Sequence, residues 1–294
     1  MARRFVTLDV FTAQRLAGNP LAVVLDAEGL DAAAMQAIAR EFNLSETVFV
    51  LPPTQARHRA RLRIFTPGRE LPFAGHPTVG TAVLLALRDP ARGDARAFGL
   101  EEEIGVVPCV VETLADGSGG RARFRLPVLP DYLGPAPEPA LLASLLGLEP
   151  RDIGTGRHAP SRHGVGPRFT CVPVGSVAAL DAARPAQAPE PGDGLYLYAP
   201  DPEGTGASWR VRMFAPDLGV PEDPATGAAA AAFAGVLMQF EAMGDGTHDV
   251  AIRQGEVMGR PSAIALQLTL ASGALRAVEI GGAAVIVSDG TLHV

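Results

Sequence analysis

Two proline-bearing turns, each leading into an apolar helix-forming run, constrain this chain more than any other feature. They read Leu71-Pro72-Phe73-Ala74-Gly75-His76-Pro77-Thr78-Val79-Gly80 and Gly219-Val220-Pro221-Glu222-Asp223-Pro224-Ala225-Thr226-Gly227-Ala228. Proline is tolerated at the first position of a helix, where its missing N–H has no intrahelical partner. The pattern therefore predicts that His76 and Asp223 fill matching N-cap slots, and that the chain folds as two similar halves. A helix start carries unpaired N–H groups and a partial positive charge. Two such starts facing one cleft form a receptor for a carboxylate, so a small anionic organic acid is the expected ligand.

The 294 residues exceed one ordinary core and suit two domains. Acidic residues outnumber basic ones, 32 to 25, giving a formal net charge of -7, and no basic block tracks a phosphate backbone. Nucleic acid is excluded as a partner on this reading. No run is long and apolar enough for a membrane span, and Asp9 interrupts the N-terminus before a signal-peptide core can form. A cytoplasmic location is expected. Every basic residue is Arg, and the absence of Lys removes Schiff-base chemistry and the P-loop. Cys109 and Cys171 stand in apolar contexts that read as buried packing thiols, and the six His are scattered without metal spacing. The glycines at 154, 156, 164 and 166 do not complete a dinucleotide loop. The expectation is an enzyme with neither cofactor nor metal.

Short β-rich runs outnumber helices. Strands are expected at 5–9, 21–25, 47–51, 61–65, 104–112 and 122–125, then at 169–174, 195–199, 209–214, 250–254, 264–270, 275–280 and 284–287. Helices are expected at 31–42, 77–87, 139–146 and 224–240. Strands flanking each special helix predict a sheet wrapped round it, and the alanines from Ala228 to Ala232 suit a helix threaded through such a sheet. Five prolines between Leu126 and Pro139 read as a stiff linker. Alternating Arg57, Arg59, Arg61 and Arg63, like Arg121, Arg123 and Arg125, describe solvated strand faces in preference to an anion site.

Several blocks carry a family resemblance. Leu16-Ala17-Gly18-Asn19-Pro20, Asn43-Leu44-Ser45-Glu46-Thr47, Leu71 to Thr81, Pro221 to Gly227, and Gln254-Gly255 with Met258-Gly259-Arg260-Pro261-Ser262 are similar to the PhzF family, in order along nearly the whole chain. The resemblance implies an α+β fold like that of diaminopimelate epimerase. Two pseudo-symmetric domains each wrap a curled, mostly antiparallel sheet or barrel round a central helix, with the active site between them. The expected domains are 1–127 and 128–287, with a last strand at about 288–294 joining the first. Family likeness and the need to cover sheet edges imply a homodimer.

The resemblance also implies the site. Glu46, which by position alone is an ordinary solvated strand residue, becomes the acid/base that takes a proton from carbon and returns it elsewhere. His is a poor capping residue, which already points to a role for His76 in hydrogen-bonding the substrate. Asp223 is a sufficient N-cap by itself; the resemblance assigns it to a substrate amino or hydroxyl group. Asn19 reads equally as a turn residue or a ligand contact. Ser45, Gly75, Thr226, Gly227 and Ala228 complete the expected binding set, the backbone N–H groups holding the carboxylate. One departure stands out: Ala228 occupies a position where the family's phenazine-pathway isomerase has Ser. The expected function is a cofactor-independent isomerase of the PhzF type, acting on an acid like trans-2,3-dihydro-3-hydroxyanthranilate. The alternatives are a non-catalytic acid-binding protein or a lyase or hydrolase in the same cleft.

Overall fold

A computed structural model describes residues 2–89, 95–185 and 187–294. The chain divides into two compact units, Met1–Pro127 with Gly281–Val294, and Val128–Ile280.

In the first unit, β1 (Ala2–Val10), β2 (Asn19–Val24), α1 (Ala32–Phe42), β3 (Glu46–Leu51), β4 (Ala60–Phe65) and β5 (Glu70–Leu71) precede the central helix α2 (Gly75–Leu87). Strands β6 (Ala95–Glu102), β7 (Gly105–Thr113) and β8 (Gly119–Arg125) follow it. Strand β1 pairs with β2, β2 with β3, β3 with β4, β4 with β6, β6 with β7 and β7 with β8. The returning segment 281–293 pairs with both β8 and β1, closing an eight-stranded ring. The β2–β3 and β4–β6 pairs are parallel, and β1 with the returning segment, β1–β2, β3–β4, β6–β7 and β7–β8 are antiparallel.

Helix α2 is buried from Gly75 to Ala86. A helix apolar on every face has no solvated side to offer and must be enclosed. Outside the ring, α1 starts at an Asp31 cap whose side chain accepts from the Ala34 N–H at 2.8 Å, and packs Met35, Ile38 and Ala39 against Phe49 and Phe65. The outward arginines behave as solvated faces: Arg61, Arg121, Arg123 and Arg125 are exposed, and Arg63 pairs with Glu70 at 2.6 Å.

The second unit repeats this plan. It runs β9 (Asp131–Pro135), α3 (Pro139–Leu146), β10 (Ser161–Gly164), β11 (Arg168–Pro173), α4 (Val177–Ala182), β12 (Gly194–Pro200), β13 (Ser208–Ala215) and β14 (Val220–Asp223). The central helix α5 (Gly227–Phe240), β15 (Gly246–Gln254), β16 (Ser262–Ala271) and β17 (Ala274–His293) complete it, β17 continuing into the first unit. Parallel pairs again fall at two places, β11–β12 and β13–β15, with antiparallel pairs between β9 and β10, β10 and β11, β12 and β13, and β15 and β16. Helix α5 is buried through Ala229–Ala234, where the methyl side chains of Ala229–Ala232 let the surrounding strands approach and Phe233 fills the core. This is the epimerase-like architecture expected from the sequence.

Three expectations need correction. The stretch read as a proline linker contains β9, whose residues pair with β10 despite Pro135 at its end. Proline removes a donor but leaves a carbonyl, so a strand can end on one. Strands β6 and β10 escaped the reading because Ala-Arg-Ala-Phe-Gly-Leu-Glu-Glu and Ser-Arg-His-Gly lack β-branched alternation. Finally, neither His76 nor Asp223 is an N-cap: α2 begins at Gly75 after an Ala74 cap, and α5 begins at Gly227 after a Thr226 cap. Pro77 sits inside the first turn, where its missing N–H is equally harmless, while Pro224 keeps Asp223 extended at the end of β14.

The closure of the first ring depends on Gly119. A Cβ there would lie 2.3 Å from the Ala284 carbonyl oxygen and 3.1 Å from the Val285 Cα, backbone atoms of the returning strand. Gly119→Ala is expected to lower unfolding stability on the order of 3 kcal/mol, the upper range for overpacking. Gly68→Ala, whose nearest neighbour would be 3.8 Å away, is the neutral control. Urea denaturation of both variants checks this; equal midpoints contradict it.

Candidate active site

The first unit carries Asn19, Ser45, Glu46, Gly75 and His76. Gly18 adopts φ +65°, and a Cβ there would lie 2.3 Å from the Val10 carbonyl oxygen, so glycine is required for the turn that delivers buried Asn19 and Pro20 to the start of β2. Strand β3 runs parallel to β2, with Glu46 opposite Leu21. Ser45, half-buried, is the last residue before that strand. His76 is the second residue of α2, and its Nδ1 stands 3.5 Å from Glu46 Oε2. That approach is longer than a formed N–H···O bond of about 2.7–3.2 Å, leaving room for adjustment.

Burial pushes the His76 imidazole down to about 3, with the Pro20 carbonyl pulling the other way. The ring is therefore neutral near pH 7, able to donate from one nitrogen and accept at the other. Its Nε2 is buried with no hydrogen-bond partner. One turn along, the Thr78 hydroxyl lies 2.8 Å from the Ala74 carbonyl oxygen and 2.8 Å from Glu102 Oε1. Burial raises the Glu102 carboxyl to about 8, the Thr78 contact opposing. Sequence reasoning missed this second buried acid, since the Glu101-Glu102-Glu103 run reads as solvated.

The second unit carries Asp223, Thr226, Gly227 and Ala228. Asp223 is buried at the end of β14, and its Oδ2 accepts from the Thr226 hydroxyl. Thr226 thus caps α5 by position while its side chain serves Asp223. The backbone N–H groups of Gly227 and Ala228, in the first turn, have no acceptor within the helix. The preceding residue, Glu222, takes a bidentate pair from buried Arg212 at 2.8 and 2.9 Å, whose remaining nitrogen donates to the carbonyls of Leu180 and Ala183. Such a satisfied buried pair fixes the strand that ends at Asp223.

The two turns do not match as the sequence suggested. Leu71 pairs with Ile64 and Asp223 with Met213, and each helix then begins at a glycine after the same spacing. Leu71 is therefore the counterpart of Asp223, and Ala228 that of His76. A cavity of about 340 Å³ in the first unit, lined by Thr54, His58, Arg61, Glu101 and Glu102 among others, contains none of the site residues expected from the sequence. Its Glu101 is already paired with His58 at 2.7 Å and Thr54 at 2.8 Å. Cys109 and Cys171 are buried, which raises both thiols. Among the described residues no His, Cys, Asp and Glu cluster could hold a metal ion, and no helix is long and apolar enough to cross a membrane.

Residues 8–290 match the family described as phenazine biosynthesis-like protein, PhzC-PhzF. The chain belongs to this family. It is 46% identical to an uncharacterized isomerase of Mesorhizobium japonicum, covering 99% of each chain. It is 38% identical to the trans-2,3-dihydro-3-hydroxyanthranilate isomerase of Pseudomonas aeruginosa, again over 99% of each. Among solved structures, the PhzF-family protein of Bacillus anthracis superposes with a TM-score of 0.88 at 25% identity, covering 100% of both chains. A hydroxyproline epimerase of Agrobacterium vitis, 13% identical, shares the fold with a TM-score of 0.67 over 99% of this chain and 92% of its own. The protein is an isomerase of the PhzF-like family.

The two displaced groups give the protein a pH signature. His76 binds its proton at about 3 when folded against 6.5 for the free side chain, so between those values the unfolded chain holds more protons and stability rises with pH. Glu102 titrates at about 8 when folded against 4.5, so between those values the folded chain holds more protons and stability falls as pH rises. Their contributions oppose between 4.5 and 6.5, leaving an acid limb below and an alkaline limb above, each near 1.4 kcal/mol per pH unit. Glu102→Gln is expected to abolish the decline from 6.5 to 8 and expose a rise from 3 to 6.5. Unfolding titrations across this range check it; an unchanged alkaline limb in the variant contradicts it.

Proposed function

We propose that the chain is a cofactor-independent isomerase that moves a proton within a small carboxylate-bearing amino or hydroxy acid. The observation that carries this reading is the approach of Glu46 to a buried, neutral His76 at 3.5 Å. The kinship with a trans-2,3-dihydro-3-hydroxyanthranilate isomerase, 38% identical over 99% of both chains, supports the substrate class.

Glu46 acts as general base toward a carbon-bound proton and then, as the resulting acid whose carboxyl proton exchanges with solvent, delivers a proton to another carbon of the same substrate. No redox partner enters, because the substrate loses one proton and gains one, with no net change in oxidation state. Neutral His76, whose Nδ1–H is held by the Pro20 carbonyl, accepts at Nε2 a hydrogen bond from a substrate N–H or O–H and so orients the substrate against Glu46. The buried Nε2 then gains the partner it lacks within the fold. The N–H groups of Gly75, Gly227 and Ala228 hold the substrate carboxylate, favoured there by unpaired first-turn amides and helix polarity. Asp223 accepts from a substrate amino or hydroxyl group, and Asn19, Ser45 and Thr226 complete the binding set. Ala228 contributes a backbone donor without a hydroxyl, a difference that bears on the identity of the acid. The enzyme is taken to work as a cytoplasmic homodimer.

The test is proton NMR of trans-2,3-dihydro-3-hydroxyanthranilate in deuterated buffer. The wild-type chain is expected to convert it with deuterium incorporated at carbon, and Glu46→Gln to fold normally but turn over at least about a hundred-fold more slowly, the scale of lost general acid/base help. Undiminished turnover removes Glu46 from the mechanism. Binding without carbon-hydrogen exchange marks a non-catalytic acid-binding protein, and release of a fragment marks a lyase or hydrolase.

A further inference from the structure

The run Gln254-Gly255 closes β15 directly beneath the turn that carries Asp223. Gln254 is 1% exposed, and its amide grips that turn with both ends. Oε1 accepts from the Thr226 backbone N–H at 3.1 Å, while Nε2 donates to the Asp223 carbonyl at 2.7 Å and to the Thr226 hydroxyl oxygen at 3.1 Å. Gly255 makes this closeness possible: at φ +81°, its missing Cβ would lie 2.6 Å from the Pro224 carbonyl oxygen and 2.3 Å from that of Arg260. The next residues hold the loop shut, Arg260 N–H donating to the Gly255 carbonyl at 2.9 Å and the Ser262 hydroxyl to the Arg260 carbonyl at 3.0 Å.

The polarity of this network is determined. A backbone N–H can only donate, so the amide end facing Thr226 N–H is the oxygen. The nitrogen end must then face the Asp223 carbonyl and the Thr226 hydroxyl oxygen. Having accepted from Gln254, the Thr226 hydroxyl directs its single proton to Asp223 Oδ2. Amide, hydroxyl and carboxylate form one directed chain.

We propose that Gln254 is the positioning residue for Asp223: through the Thr226 hydroxyl it fixes the carboxylate's direction and presents it as a hydrogen-bond acceptor, so the substrate group it meets must be a donor. This rests on the assignment of Asp223 to the substrate under Proposed function. The station of Gln254 is filled in the first unit by Glu102. Arg61 pairs with Glu101 and Arg210 with Arg253, placing Glu102 and Gln254 one residue further along their strands. Burial holds Glu102 protonated to about 8, so both stations offer a neutral group that can donate as well as accept.

The test has two readouts. In proton–nitrogen correlation spectra recorded from pH 3 to 8, the Gln254 side-chain amide of the wild-type chain is expected to shift as Asp223 takes up its proton. That response should vanish in Asp223→Asn. Identical Gln254 responses in the two proteins overturn the directed chain, and this needs neither substrate nor a Gln254 variant.

The second readout is turnover of trans-2,3-dihydro-3-hydroxyanthranilate by Gln254→Leu, Asp223→Asn and the double variant. Gln254→Leu is expected to lower kcat roughly ten- to a hundred-fold, the scale of a misplaced catalytic contact, with a smaller change in KM. It should cost nothing further once Asp223 is Asn. An equal loss in both backgrounds shows that Gln254 acts on the fold alone and overturns the positioning role. Full turnover by Asp223→Asn instead removes Asp223 from the substrate site, a failure of the functional reading that leaves the spectra to decide the chain of hydrogen bonds.

Discussion

Enclosure of a helix within a sheet is the constraint from which the rest of each unit follows. Helices α2 and α5 are buried along most of their length, so their first turns are held by packing on every side and cannot shift without opening the strands around them. Small residues are the condition for that fit: a Cβ on Gly80 would come within 2.7 Å of both Leu21 and Val10. The polar groups of interest then gather where the enclosure ends. Glu46 opens β3, His76 lies in the first turn of α2, Glu102 closes β6, Asp223 closes β14 and Gln254 closes β15. Strand ends and helix starts are where unpaired backbone donors and short polar side chains can coexist with a dry interior.

The repeat of topology is not a repeat of chemistry. Leu21 faces Glu46 across the parallel pair of the first unit, and Phe169 faces Gly194 in the corresponding pair of the second. His76 answers to Ala228, and Leu71 to Asp223. At each of these stations one half supplies a titratable group and the other an apolar or minimal residue. Burying a charge or an imaginable charge is expensive unless it is paired or neutralised, so duplicate sets would destabilise both halves. The fold resolves this by dividing the groups, and neutralises the imidazole it does bury by desolvation.

Much of this was legible in the sequence, for reasons that can be named. The central helices announce themselves by uninterrupted apolar runs, and the first exterior helix by its Asp31 cap and Asn43 in the left-handed conformation at its end. Strand β13 and its neighbours show the required β-rich composition. What failed was the placing of helix starts from proline alone. Proline marks a region of the first turn, not a position, and the glycines Gly75 and Gly227 mark the start more faithfully. The pairing of His76 with Asp223 followed from that misplacement. Gln254 was visible as a motif but silent as to role, because its partners lie 28 and 31 residues away and are joined to it by tertiary contact alone. Glu102 was hidden in an acidic run whose first member faces a polar network and whose second faces the core, a distinction that depends on strand register.

The equivalence of Ala228 with His76 changes how the alanine is understood. Both are the second residue of an enclosed helix, and both present a backbone N–H that the helix itself leaves unpaired. That donor is independent of the side chain, so replacing a hydroxyl-bearing residue with alanine removes a side-chain contact while preserving the amide that favours an anion. The turn before it is already fixed without help from residue 228, by Gln254 on one side and by the Arg212 pair with Glu222 on the other. Position 228 is thus not tied to the network that fixes the turn, whereas Gln254 and Gly255 are tied to its backbone.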